Sequence, residues 1–118
     1  MEYIEELEYF RGDSIPICIP AKYKDGSKYI YKKGDVVKLG ITKLIGDDSL
    51  DYLEEQVIEE EISQVEFNIP PETTRQLLGK YYLEAELTYN EGLDVSTLFQ
   101  VNLTIKEDKI NERNSRNN

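Results

Sequence analysis

The chain has 118 residues, enough to bury one hydrophobic core and too few for two. Acidic residues outnumber basic ones 24 to 14, giving a formal net charge of −10 and a pI near 4.5. A field of that sign repels phosphate backbones and anionic lipid, so nucleic-acid and membrane-surface roles are disfavoured, and protein or glycan partners are expected.

Apolar residues supply 39% of the chain and charged residues 32%, and tyrosine provides nine aromatic residues against three phenylalanines. Such a surface is strongly hydrated, with tyrosines bridging core and water. Cys18 is the only cysteine, so no internal disulfide forms and folding rests on packing. The opening residues Met1-Glu2-Tyr3-Ile4-Glu5-Glu6 hold neither a basic region nor an apolar run, which argues against a Sec-type signal and predicts folding in a cytoplasm. No stretch approaches the roughly 18 apolar residues of a membrane span.

Along the chain, apolar and polar residues alternate with period two between short clusters of Gly, Pro, Asp and Asn, a pattern of about seven strands that predicts an all-β, antiparallel sandwich. Residues 2 to 10 form the first candidate strand. Tyr3, Leu7 and Tyr9 face one way and Ile4 and Phe10 the other, so the pattern does not fix an inner face. Arg11-Gly12-Asp13 breaks the chain; Gly12 is expected at positive φ and Asp13 is expected to cap the turn with its side chain. Ile15, Ile17 and Ile19 then share a face opposite Pro16, Cys18 and Pro20, and two prolines on one strand predict a sheet edge or a crossing between sheets.

Lys24-Asp25-Gly26-Ser27 reads as a hairpin turn, followed by Tyr29-Ile30-Tyr31 and a second turn at Lys33-Gly34-Asp35. In residues 36 to 45, Val37, Leu39, Ile41 and Ile45 point inward and Lys38 and Thr42 outward. Residues 50 to 62 fit two periods: Leu50, Leu53, Val57 and Ile58 match a helical stripe, whereas Tyr52, Ile58 and Ile62 with intervening glutamates fit a strand, the reading adopted. Residues 64 to 69 place Val65, Phe67 and Ile69 on one face before Pro70-Pro71, and residues 72 to 78 suit a single helical turn crossing between sheets. A terminal hairpin pairs residues 80–89 with 94–105, turning at Asn90-Glu91-Gly92. Tyr81, Leu83, Ala85, Leu87 and Tyr89 are expected inward, with Val95, Thr97, Phe99, Val101, Leu103 and Ile105 on the return strand. The sandwich domain thus spans 1–107, and 108–118 is a polar tail or arm; within 111–118, Arg113 and Arg116 oppose a single glutamate.

Chemistry-bearing motifs are sparse. The chain has no histidine, the usual base near neutral pH, and Cys18 between prolines reads as a quiet thiol, so no catalytic residue and no cofactor is assigned. Glu84 and Glu86 lie about 7 Å apart on one strand face, a spacing loosely like that of glycosidase carboxylates but more simply a solvated face. Asp47, Asp48 and Asp51 cluster at a turn without EF-hand spacing, so an ordinary polar turn outweighs calcium binding. Arg11-Gly12-Asp13 matches an adhesion tripeptide but fits its turn. Tyr23, Tyr29 and Tyr31 either cover the end of the core or form a binding surface, and they are the first-ranked candidate interaction residues, with Arg113 and Arg116 as a candidate docking arm. Leu78-Gly79-Lys80-Tyr81-Tyr82 resembles the corner that opens the penultimate strand of an immunoglobulin-like sandwich, with Tyr81 bonding back to the preceding connection.

Three pieces in order carry a wider resemblance: Phe10-Arg11-Gly12-Asp13-Ser14, the run from Pro70-Pro71-Glu72-Thr73-Thr74 through Leu78-Gly79-Lys80-Tyr81-Tyr82, and Val95-Ser96-Thr97-Leu98. Together they resemble the N-terminal domain of the phage baseplate upper protein, an immunoglobulin-like β-sandwich that docks onto the tail. This chain differs in Ser14, in Glu72-Thr73-Thr74 and in having no receptor-binding region after the sandwich. The resemblance implies a non-enzymatic structural subunit of a phage tail, baseplate or related contractile particle, located in the virion and contacting other particle proteins or copies of itself. Two alternatives stand beside it: a carbohydrate-binding module using the tyrosines, and an acidic inhibitor that mimics nucleic acid. The second is weakened by Lys22, Lys24, Lys28, Lys32, Lys33 and Lys38, which concentrate positive charge in the N-terminal half.

Overall fold

Alternation in the sequence becomes two facing layers in the computed structural model, which describes residues 6–23, 25–43 and 50–109. The elements are β1 (Glu6–Phe10), β2 (Ile15–Lys22), β3 (Lys28–Tyr29), β4 (Val36–Lys43), β5 (Leu50–Val57), β6 (Gln64–Ile69), α1 (Pro71–Thr74), β7 (Gly79–Tyr89) and β8 (Asp94–Lys106). A five-stranded sheet of order β1-β8-β7-β4-β5 faces a three-stranded sheet of order β3-β2-β6. Placing β2 and β6 in one layer against β4, β7 and β8 in the other reproduces the B, E against C, F, G partition of an immunoglobulin-like sandwich. The core lies between the layers, with Ile15, Ile19, Val65 and Ile69 from the small sheet meeting Val37, Leu39, Ile41, Leu83, Leu103 and Ile105 from the large one.

Two features depart from the expected architecture. Eight strands are described, because the segment after the first hairpin makes a two-residue pairing of its own, Ala21 with Tyr29 and Lys22 with Lys28. The large sheet is also mixed, since β1 runs parallel to β8, from Glu6 opposite Asn102 to Phe10 opposite Lys106. The chain leaves β1 for the other layer and makes no hairpin there, so nothing forces an antiparallel neighbour, and β1 lies along the free side of β8. Leu7 and Tyr9 pack against the core and Phe10 is exposed, which fixes the inner face that alternation alone left open.

The prolines of β2 fall where β6 is the sole described pairing partner, from Ile15 opposite Ile69 to Pro20 opposite Gln64, so this stretch behaves as an edge. Residues 50 to 57 are strand, paired with β4. At the opposite end from the β2–β3 hairpin, Gly12 has φ 93°, and the Asp13 carboxylate accepts the Phe10 N–H at 3.1 Å. The buried Thr74 hydroxyl binds this turn to α1, accepting the Gly12 N–H at 3.0 Å and donating to the Asp13 carbonyl at 2.7 Å. Two of the three pieces that carry the phage resemblance therefore meet at one hydroxyl. Thr74→Val keeps the shape and removes the oxygen, and it is expected to lower unfolding free energy by about 2 kcal/mol in urea titrations. An unchanged midpoint would show that these bonds contribute nothing net.

Beyond α1, Gly79 takes φ 106° and the Tyr81 hydroxyl bonds back to Leu78, accepting its N–H at 2.9 Å and donating to its carbonyl at 3.2 Å. That is the corner expected from Leu78-Gly79-Lys80-Tyr81. The β7–β8 hairpin turns through Asn90, Glu91 and Gly92, all at positive φ. Its return strand corrects the expected alternation. Ala85 pairs with Phe99 and Glu86 with Thr97, so Leu98 is an extra residue, a β-bulge that exchanges the two faces of β8. Leu98 and Phe99 both pack against the core, while Val95 opposes outward-facing Thr88 and is exposed.

Candidate interaction surfaces

At the pole opposite the Gly12 turn, the β2–β3 hairpin meets the end of the β7–β8 hairpin, and the tyrosines gather there. Tyr23 and Tyr29 lie edge to face with centroids 5.5 Å apart, and Tyr29 makes similar contacts with Tyr31 and Tyr89 at 5.8 Å each. The expected surface of Tyr23, Tyr29 and Tyr31 is corrected by burial. Tyr31 is fully enclosed and its hydroxyl donates to the Ile19 carbonyl at 2.9 Å, Tyr29 is buried, and only Tyr23 stands half-exposed. For Tyr31 the covering of the core end prevails over binding. Burial, followed by the nearby Asp35 charge, pushes the Tyr31 hydroxyl up to about 12.

Tyr29 is held from beneath. Its hydroxyl donates to the Asp35 carboxylate at 2.6 Å, and the same carboxylate accepts the Lys32 N–H at 2.9 Å. Asp35 is itself buried, so both bonds sit in a region poor in water. Burial first, and the bond to Asp35 second, raise the Tyr29 hydroxyl above the ordinary tyrosine range.

Two clefts flank the trio of Tyr23, Tyr29 and Tyr89. One, of about 510 Å³, runs against Leu87, Leu98 and Ser96 with Lys22 and Asp25 at its lip. The other, of about 430 Å³, carries Lys32 and Lys33 against Asp35, Glu91 and Asp94. Tyr89 completes this site although the sequence marked it only as an inward residue of β7. It was legible as the last member of that apolar row; its proximity to the first hairpin comes from packing between layers.

A second surface arises at β5, where strand polarity is inverted. Register places Leu53 opposite Gly40 and Val57 opposite Val36 on the outer side, while Glu54 and Gln56 oppose Leu39 and Val37 on the inner side. The irregularity between Ile41 and Thr42 adds Leu50 to the outer row. Leu50, Leu53 and Val57 are 52%, 53% and 56% exposed, although such residues normally belong in a core. On the inner side, Gln56 donates to the Glu66 carbonyl across the gap to β6 at 2.7 Å, and the Tyr52 hydroxyl bonds Glu54. Burial, then that bond, raises the Tyr52 hydroxyl. A five-stranded layer overhangs a three-stranded one, and polar side chains suit the uncovered rim. The signal in the sequence was the apolar set Leu50, Leu53 and Val57 out of phase with Tyr52, which surfaced only as a conflict between helix and strand. Ile58 is buried as expected, whereas Ile62 is half-exposed and makes a single bridge with Tyr31.

The remaining candidates are quickly placed. Cys18 is exposed on the outer face of β2. The Asp13 side chain is engaged within its own turn, which supports the turn reading of Arg11-Gly12-Asp13. Glu84 and Glu86 face outward on β7, where Glu84 accepts from the Gln100 amide at 2.8 Å. Asp51 is exposed, while Asp47 and Asp48, like Ile45, Arg113 and Arg116, lie outside the described residues. Among the described residues no group of three or more His, Cys, Asp or Glu side chains is gathered to hold a metal ion, and no helix is long and apolar enough to cross a membrane.

Comparison with protein-family models, with curated proteins and with solved structures finds no match to this chain.

Proposed function

We propose that this chain is a non-enzymatic structural subunit of a phage tail, baseplate or related contractile particle, working by attachment to neighbouring proteins of the virion. The observation that supports attachment most directly is the outward row Leu50, Leu53 and Val57 on an edge strand whose inner face carries Glu54 and Gln56 beside Tyr52. Apolar side chains grouped on one exposed face are a feature of protein contacts. The phage setting comes from the three sequence pieces named above. In a ring or tube, many modest contacts of one kind give high avidity without a large interface.

Tagged chain mixed with the products of the genes flanking its own is expected to co-elute with at least one of them, a tail or baseplate protein, at defined stoichiometry, and to be monomeric or weakly associating alone. A tight homo-oligomer that binds none of those proteins would overturn this reading.

The half-exposed Tyr23 beside an aromatic-walled cleft favours one second reading, a carbohydrate-binding module. Saturable signal on a glycan array that disappears with Tyr23→Ala would support that module over the structural role.

A further inference from the structure

Gly40 lies in the middle of β4 with its outer side toward solvent-facing side chains. A Cβ there would stand 3.2 Å from Leu50 Cδ2 and 3.8 Å from Leu53 Cδ1. Leu50 leans over the glycine, and beside it a depression of about 240 Å³ opens on the outer face of the large sheet, with Gly40 in its lining. Leu50 and Leu53 form one wall, Glu84 and Glu86 the other, with Lys38 and Thr42 at the ends. Gly40 opposes Leu53 on one side and Glu84 on the other, so the glycine separates an apolar wall from an acidic one.

Charge around this surface has one dominant sign. Apart from the inward-facing Glu54, residues 50 to 61 contain Asp51, Glu55, Glu59, Glu60 and Glu61 and no lysine or arginine. Lys38 reaches Glu55 at 3.9 Å, an exposed and weak pair that leaves the rest uncompensated. Acidic edges discourage self-pairing, because a second copy would bring carboxylate against carboxylate. Protection alone does not account for apolar residues on the same face. Together, an apolar row, a depression beside a glycine and unbalanced carboxylates complement a segment whose own residues are apolar and basic in turn.

We propose that the outer face of the large sheet at β4 and β5 docks a segment of another protein that carries a basic side chain flanked by apolar ones. The basic side chain lies in the depression beside Gly40 with its stem along Leu53 and its charge toward Glu84 and Glu86. The flanking apolar side chains cover Leu50 and Val57. This rests on the reading of the chain as an attachment protein and names the chemistry of what it attaches to.

The probe is a ten-residue peptide in which valine and arginine alternate at every second position with serine between them, so that in an extended chain both kinds of side chain face the sheet, compared with one in which glutamate replaces arginine and one of the original composition with all arginines grouped at one end. Amide shifts of the full chain are followed by NMR during titration. The alternating basic peptide is expected to shift Gly40, Leu53, Glu84 and Glu86, and to bind about tenfold more weakly to Leu53→Glu and to the Glu84→Gln, Glu86→Gln pair. Leu53, Glu84 and Glu86 are not core residues, so these variants keep the fold, and their unperturbed spectra verify it. Equal binding of the grouped or acidic peptide, shifts centred on Tyr23 and Tyr89, or dimerisation through β5 would each overturn the proposal. If particle proteins bind but leave these amides unshifted, the docking face is wrong and the structural role survives. If the peptide binds as described but no particle protein does, the face stands and the phage setting falls.

Discussion

Asp35→Ala is expected to lower the free energy of unfolding by about 3 kcal/mol, measured by urea denaturation near neutral pH. The carboxylate is buried and accepts two bonds, from the Tyr29 hydroxyl at 2.6 Å and the Lys32 N–H at 2.9 Å. Alanine strips both donors of their acceptor, and a buried unsatisfied donor costs more than the net value of the bond it lost. Asp35→Asn retains one acceptor oxygen and should recover part of the loss. Tyr29 carries the contacts to Tyr23, Tyr31 and Tyr89, so the alanine variant should also loosen the aromatic pole, read as averaged ring signals in NMR spectra. A variant as stable as the parent would mean that water replaces the carboxylate at no cost.

Raising the pH is expected to unfold the protein through its tyrosines. Tyr31 is raised from 10.0 to about 12, chiefly by burial, and Tyr29 and Tyr52 are raised as well. Each holds its proton in the fold and releases it more readily once unfolded. Their stabilisation is therefore fully present below pH 10 and is lost as pH climbs through the folded-state values. For Tyr31 alone the loss is on the order of 2 kcal/mol by about pH 12. The tyrosinate absorbance of Tyr29, Tyr31 and Tyr52 should appear only together with loss of the folded signal. Smooth ionisation of all nine tyrosines with the fold intact would sink this prediction.

Much of the fold was legible in the residues. Isoleucines at 15, 17 and 19 and the row from Tyr81 to Tyr89 alternate cleanly because both faces of each strand have a single fate, core or solvent. The corner at Tyr81 was readable because a glycine and a tyrosine at fixed spacing suit one local geometry. Legibility failed where a single inserted residue exchanged the faces. Leu98 in β8 and Asp51 in β5 each shift the register, and a period of two carries no mark of such a shift. Parallel pairing of β1 with β8 was equally hidden, since it depends on which side of β8 stayed free.

The site was half legible. Tyrosine spacing pointed to the correct pole, but which rings are covered depends on the opposing layer, and Tyr89 joins from the far hairpin. Gly40 gave no hint of the depression beside it, because its meaning comes from Leu53 across the strand pair.

The parallel ladder between β1 and β8 also sets an order of events during synthesis. β1 leaves the ribosome before any other described strand, and the strand it lies against leaves last. Until translation reaches β8, Leu7 and Tyr9 have no sheet to join, and the nascent chain carries them uncovered. Closing that ladder joins the two ends of the described fold across nearly its whole length, the strand pairing with the largest loop-closure cost.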